Sequence, residues 1–210
     1  MADPTDAPHR IASLDDLAAL YDAPAEPSIA KESDHVTAEY AAMIAASPFV
    51  VVATTGARGL DVSPRGDPPG FVVVRDARTL LLPERRGNNR VDGLRNLIGD
   101  ARIALLFLIP GVGETLRVSG TATITTGPTL LAQLAMDGRP PTCVIEIAVE
   151  RVFFQCARAI HRSKLWAPPD PSLRARVPSA GAMLAGASEG RLGGAAYDDG
   201  LAERQARTLY

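Results

Sequence analysis

Sulfur, histidine and aromatic side chains are scarce in this chain of 210 residues, which has two cysteines, three histidines, one tryptophan and 5% aromatics. Cys143 and Cys156 form no Cys-x-x-Cys pair, and they begin and end one strand-rich run. A mutual disulfide is therefore not expected, and a reduced, cytoplasmic setting fits two thiols used as small apolar residues. His9, His35 and His161 lie far apart and share no metal-ligand spacing, so no metal site is expected. Long apolar runs are missing as well. The longest, Ile103–Ile109, is too short to cross a bilayer. The start, MADPTDAPHR, has two aspartates and no apolar segment, so no secretory signal is expected there. Neither charge dominates: 22 Lys and Arg against 24 Asp and Glu give −2, with a pI near 5.9. A global electrostatic attraction to nucleic acid is therefore not implied, no membrane partner is expected, and any basic site must be local. No Gly-x-Ser-x-Gly elbow and no phosphate-binding Walker loop occurs.

What is present is apolar bulk, 46% of residues, enough for one good-sized core with an added arm. Residues 1–12 read as disordered. Ser13 with Asp16 resembles a capping box opening a short helix over Leu14–Tyr21, broken by Pro24 and Pro27. A second helix is expected from after Asp34 to Ala46, its apolar face formed by Val36, Tyr40, Met43 and Ile44. Strands follow at Phe49–Thr55, Leu60–Ser63, Phe71–Val74 and Thr79–Leu82, the last two as a hairpin. The pattern then predicts a helix over Asn89–Gly99, with Val91, Leu94, Leu97 and Ile98 on one face. Arg102–Ile109 reads as a strand buried on both sides. Strands at Thr115–Thr125 and Thr142–Phe154 flank a helix from Gly127 to about Met136. Helical patches at Ala180–Ala187 and Asp198–Leu209 close the chain. Short antiparallel connections favour a mainly β barrel with peripheral helices over a parallel sheet. The expected layout is an N-terminal extension (1–34), a barrel domain (35–166) and a C-terminal arm (167–210) packed on the barrel or on a partner subunit.

The chemistry concentrates between Ser63 and Leu97. Arg85, Arg86, Gly87, Asn88, Asn89 and Arg90 stand between a strand and a helix. Guanidinium forks, amides and free helix N–H groups together suit a phosphate, and helix starts favour anions by about 0.3–1 kcal/mol even when exposed. The alternative is a solvated turn whose arginines pair with Glu84 or Asp92. Ser63 and Arg65, two apart on an extended segment, point to one side, which faces a ligand unless Arg65 simply pairs with Asp67. Gly111 and Gly113 lead into a strand and read as a hairpin turn, with Glu114 and Arg117 as candidates for a substrate side. Trp166 is either a packing anchor or a ring beside a cofactor, and His161 either a surface residue or a proton donor.

Four segments taken together carry a resemblance. They are Ser63-Pro-Arg-Gly-Asp67, Gly87-Asn-Asn-Arg90 running on to Asn96, Ala101–Gly120, and Arg162-Ser-Lys-Leu-Trp166. The set, spanning roughly Lys31 to Trp166, resembles the pyridoxamine 5′-phosphate oxidase-related, FMN-binding split-barrel proteins, and within them a bacterial branch of FMN-dependent enzymes. The resemblance implies a six-stranded antiparallel Greek-key split barrel, a homodimer, and FMN held non-covalently in a groove at the subunit interface. By position, Asn88, Asn89 and Arg90 would hold the FMN phosphate, with Arg65 and the neighbouring Ser63. Backbone groups of Leu82 and Pro83 would approach the flavin ring. Lys164 and Trp166 would close the groove from one subunit or the other, and a cation at Lys164 or Arg162 would stabilise negative charge on reduced flavin. Two departures stand out. Asn-Asn-Arg replaces the Ser-Arg-Lys run of the oxidases proper, and their pyridoxal-phosphate-binding pattern is absent near the C-terminus. The implied activity is FMN-dependent hydride transfer to or from a small organic substrate or a nicotinamide, without a catalytic side chain named. The alternatives are a flavin-binding module without turnover, or a split barrel carrying a deazaflavin or haem.

Overall fold

A computed structural model describes residues 10–209 and divides the chain into two compact units, Met1–Glu32 and Ser33–Tyr210. Residues 1–9 of the stretch expected to be disordered lie outside the described residues. In the first unit, α1 (Leu14–Ala18) carries the capping box: Ser13 Oγ accepts from Asp16 N, and Asp16 accepts from Ser13 N in return. The helix is shorter than its pattern predicts. A further short helix, α2 (Glu26–Ala30), has Pro27 in its first turn, where a missing N–H costs nothing.

The second unit opens on α3 (Ala38–Ala46), capped by Thr37, with Tyr40 and Ile44 buried. Seven strands follow: β1 (Phe49–Gly56), β2 (Gly59–Gly66), β3 (Val73–Asp76), β4 (Thr79–Glu84), then α4 (Asp92–Gly99), β5 (Arg102–Leu108), β6 (Thr115–Thr125), α5 (Pro128–Gln133) and β7 (Cys143–Gln155). They pair antiparallel throughout in the order β2-β1-β5-β6-β7-β4-β3, and the seventh member is the four-residue β3. On β1 and β5 alternate residues point inward, Val50 and Val52 against Ile103, Leu105 and Phe107, all nearly inaccessible. Strand β5 is thus one-sided, with Leu106 and Leu108 half-buried, although its unbroken apolar run suggested burial on both faces. Strand β4 is the two-sided one, with Leu80 to Pro83 all buried.

The sheet rolls up. Strands β2 and β4 stand five places apart, about 24 Å if the sheet were flat. Yet Arg65 on β2 donates from Nε to Glu84 Oε2 on β4 at 2.8 Å. No ladder joins these two strands, so side chains, not backbone, close the wall. That is a split barrel, and α3 with Val36 just before it, together with α4, covers its core through Val36, Tyr40, Ile44 and Leu97. Ile98, expected on the apolar face of α4, is 82% exposed, because the helix rests on the core through Leu94 and Leu97. The chain continues through α6 (Arg158–Ser163), α7 (Leu173–Arg176), α8 (Ala180–Ala187), α9 (Ala195–Asp199) and α10 (Leu201–Arg207). No helix among the described residues is long and apolar enough to cross a membrane.

Candidate functional site

A groove of about 750 Å³ opens along the split. One wall is β2, with Ser63, Pro64 and Arg65, and the other is the end of β4 with the loop that leaves it, Pro83 to Val91. The first turn of α4 forms its end. Local chemistry explains why the chain departs from the ladder here. Pro83 is buried next to the last residue of β4, and Asn89 and Val91 take left-handed backbone, at φ 60° and 47°. For a β-branched valine that conformation costs on the order of 1–2 kcal/mol. Asp92, immediately beyond, fixes it. Its Oδ2 accepts from Arg90 Nε at 2.8 Å and its Oδ1 from Arg58 Nη2 at 2.5 Å, and these arginines, Arg90 first, hold its carboxyl below the usual range.

The N-terminus of α4 has no side-chain cap, and Asp92, Gly93 and Leu94 line the groove. Its first N–H groups are therefore open to an acceptor arriving from the groove. Ser63 and Arg65 do share a side, as their spacing predicts: Arg65 Nη1 donates to Ser63 Oγ at 3.0 Å and to the Pro64 carbonyl at 2.8 Å. The partner of Arg65 is Glu84, however, and Asp67 pairs instead with Arg85, Nε to Oδ2 at 2.9 Å. Both pairs cross the split. Of the pairs the sequence offered as the alternative, Arg90 takes Asp92, while Arg65 and Arg85 take the exchanged partners Glu84 and Asp67.

Arg85 differs. Its Nη1 is buried and has no hydrogen-bond partner. A buried guanidinium N–H without an acceptor is costly, on the order of 1–3 kcal/mol, and this one belongs to a residue lining the groove. Arg86 makes no hydrogen bond or ion pair among the described residues, and Asn88 uses only Oδ1, accepting from Arg90 N at 3.1 Å. The groove thus has unspent donors: Arg85 Nη1, Arg86, two asparagine amides and a bare helix start. Of its carboxylates, Glu84 and Asp92 are engaged by arginines, and Asp61 at the β2 end is not. The donor set fits a phosphate. Sequence reasoning ranked Arg90 above Arg85, because nothing in the local pattern reveals that Asp67 takes only one edge of the Arg85 guanidinium.

The remaining candidates are placed differently. Pro83 lines the groove, while the Leu82 side chain is fully buried in the core. Lys164, with left-handed backbone at φ 52°, ends α6, and Trp166 donates from Nε1 to the Val112 carbonyl at 2.7 Å. Neither lines the groove of its own chain. Their segment packs on the turn at Gly111–Gly113, where a Cβ on Gly113 would overlap Ala157. Arg117 lies over the Phe153 ring, 4.9 Å from its centroid. Both cysteines are free, Cys143 buried and Cys156 exposed, and burial pushes the Cys143 thiol up. No cluster among the described residues could hold a metal ion.

A rolled antiparallel sheet, split between two strands and lined with donors at the split, defines the class: a split-barrel protein. Residues 36–156 match the model of the pyridoxamine 5′-phosphate oxidase family, and the chain belongs to that family. No curated protein matches it. Among solved structures it is similar to HupZ of Group A Streptococcus, at 24% identity over 58% of this chain and 94% of the other, with a TM-score of 0.46. It is also similar to a Clostridium acetobutylicum protein of the pyridoxinephosphate oxidase family related to general stress protein 26 (18% identity, 56% and 86% covered, TM-score 0.45). An FMN-binding protein from Syntrophomonas wolfei is similar at 10% identity, with 53% and 80% covered and a TM-score of 0.42.

Proposed function

We propose that this chain is an FMN-dependent oxidoreductase acting as a homodimer, its flavin held non-covalently along the split. The observation that carries the reading is the unpartnered Nη1 of Arg85 in the same groove as the uncapped start of α4. Phosphate supplies the acceptor that the chain itself does not. In this reading Arg90, Asn88 and Asn89 grip the phosphate from the loop, and Ser63 and Arg65 form the facing wall. The backbone at Leu82 and Pro83 borders the ring, where a proline removes one donor and keeps the strand end rigid. FMN, when bound, supplies a two-electron carrier at its ring N5, and the protein contributes placement and local charge. The substrate is a small organic molecule or a nicotinamide.

The homodimer rests on the position of Lys164 and Trp166. Neither reaches the groove of its own chain, so a ring border built from them comes from a second copy. Sedimentation at micromolar concentration should give twice the chain mass. Protein purified from cells should carry a flavin spectrum, with FMN identified by mass spectrometry. Arg90→Ala should then retain only a minor part of the flavin, and undiminished FMN affinity in that variant overturns the phosphate assignment. A haem or deazaflavin spectrum would instead support the other cofactors named above. A second reading, flavin binding without turnover, is favoured by one observation: Glu84 and Asp92 are both committed to arginines, which leaves Asp61 as the one unpaired carboxylate among the described groove residues. Bleaching of the flavin band by NADH or NADPH separates the two readings.

A further inference from the structure

We infer that Asp67 is the positioning residue of the phosphate site, holding one edge of Arg85 so that the other is left for the ligand. The inference deepens the proposed function and rests on its phosphate reading. Asp67 does not line the groove. It stands just past the end of β2, anchored by its own N–H to the Pro48 carbonyl at 3.1 Å. Its side chain is 1% exposed, and its Oδ2 takes the Nε of Arg85 across the split. A carboxylate so far removed from water is retained only with a fixed partner.

The two pairs that cross the split are not equivalent. Arg65 gives Nε to Glu84 and Nη1 to Ser63 and to the Pro64 carbonyl, so two of its three nitrogens are held by the protein and it braces the wall. Arg85 gives only Nε, and its Nη1 has no acceptor. A guanidinium is a rigid planar fork, so fixing Nε fixes the direction of the Nη groups as well. Asp67 thereby sets the angle at which Arg85 meets an oxyanion. A lysine at position 85 could keep the ion pair, but its single ammonium could not serve Asp67 and a phosphate in the same geometry.

The test compares FMN with riboflavin, which lacks the phosphate, by fluorescence quenching with the full-length dimer. The native protein should prefer FMN. Arg85→Lys should lose roughly 10- to 100-fold of that preference, the usual worth of one hydrogen bond to a charged group, with riboflavin affinity unchanged. Asp67→Ala should lose a similar factor. Asp67→Asn, which keeps an acceptor oxygen in place, should recover most of it. A merely structural role for Asp67 would weaken both ligands alike. If Arg85→Lys keeps the full preference, or Asp67→Ala raises it by removing a negative charge, the inference fails while the phosphate reading stands. Should the native protein bind both flavins equally, the phosphate reading itself falls. Arg85→Lys keeps the test decisive even if Asp67→Ala does not fold.

Discussion

Gly120 illustrates how much a single position can carry. It sits on β6 at the point where the register with β7 slips, opposite Val149. A Cβ there would fall on the carbonyl oxygen of Ala148, closer than any real contact. The obstacle is backbone in a central pair of strands, so it cannot swing aside. Gly120→Ala should therefore destabilise the barrel by about 2 kcal/mol or more, read as a lower melting temperature. An unchanged melting curve would mean the bulge is softer than the geometry indicates. The sequence marks Gly120 only as an interruption in an alternating strand, because the partner that forbids a side chain lies almost thirty residues downstream. Arg85 is the same case at the groove. Its residue type and loop were legible, but its unsatisfied edge depends on Asp67 arriving from another strand. Ser63 and Arg65 could be read as sharing one side because period-two alternation is a local property.

Elements were legible where their signals are local. The α1 capping box, the strands β1, β4, β6 and β7, and the helical patch at Ala180–Ala187 stand where the pattern puts them. Ends were less so: α4 starts at Asp92, not Asn89, since Arg90 and Val91 are drawn into the loop by the Asp92 ion pair and left-handed backbone. The C-terminal elements allow a sharper test. Ser179 caps α8, accepting from Ala182 N at 3.0 Å while donating to Asp198 Oδ2 at 2.5 Å, and Asp198 Oδ1 accepts from Gly181 N at 2.7 Å. Asp198 thus ties α9 to the start of α8. Ser179→Ala should cost about 1 kcal/mol locally. Amide hydrogen exchange should accelerate from α8 through α9 and leave the strands untouched; equal acceleration in β5 or β6 would show that these helices and the barrel open as one unit.

For the whole molecule, acid is the natural probe. Asp34 is held down to about 2 by its hydrogen bond with His35 and by Arg78, and Asp100 to about 2 by Arg102. Asp92, held low by Arg90 and Arg58, belongs with them. A depressed carboxyl stabilises the fold fully above its ordinary value near 3.8 and loses that contribution as pH falls through the lowered one. Stability should therefore be nearly level from pH 7 to 5 as far as these groups decide it, then fall between about 4 and 2. A melting temperature that climbs on acidification through that window would contradict the assignment. Saturating FMN should raise the melting temperature in proportion to the logarithm of its concentration, if the groove takes it.

Among the described residues, Arg65–Glu84 and Arg85–Asp67 link the β2 and β4 walls, and no peptide ladder joins these two strands. A cylinder jointed in this way can be re-bored by one or two codon changes. Longer, shorter or neutral residues at Arg65 and Glu84, the less buried pair, should widen or narrow the slot while the strand pairings stay. Ligand preference and barrel architecture can then evolve separately, so one scaffold can pass among many small molecules without being rebuilt.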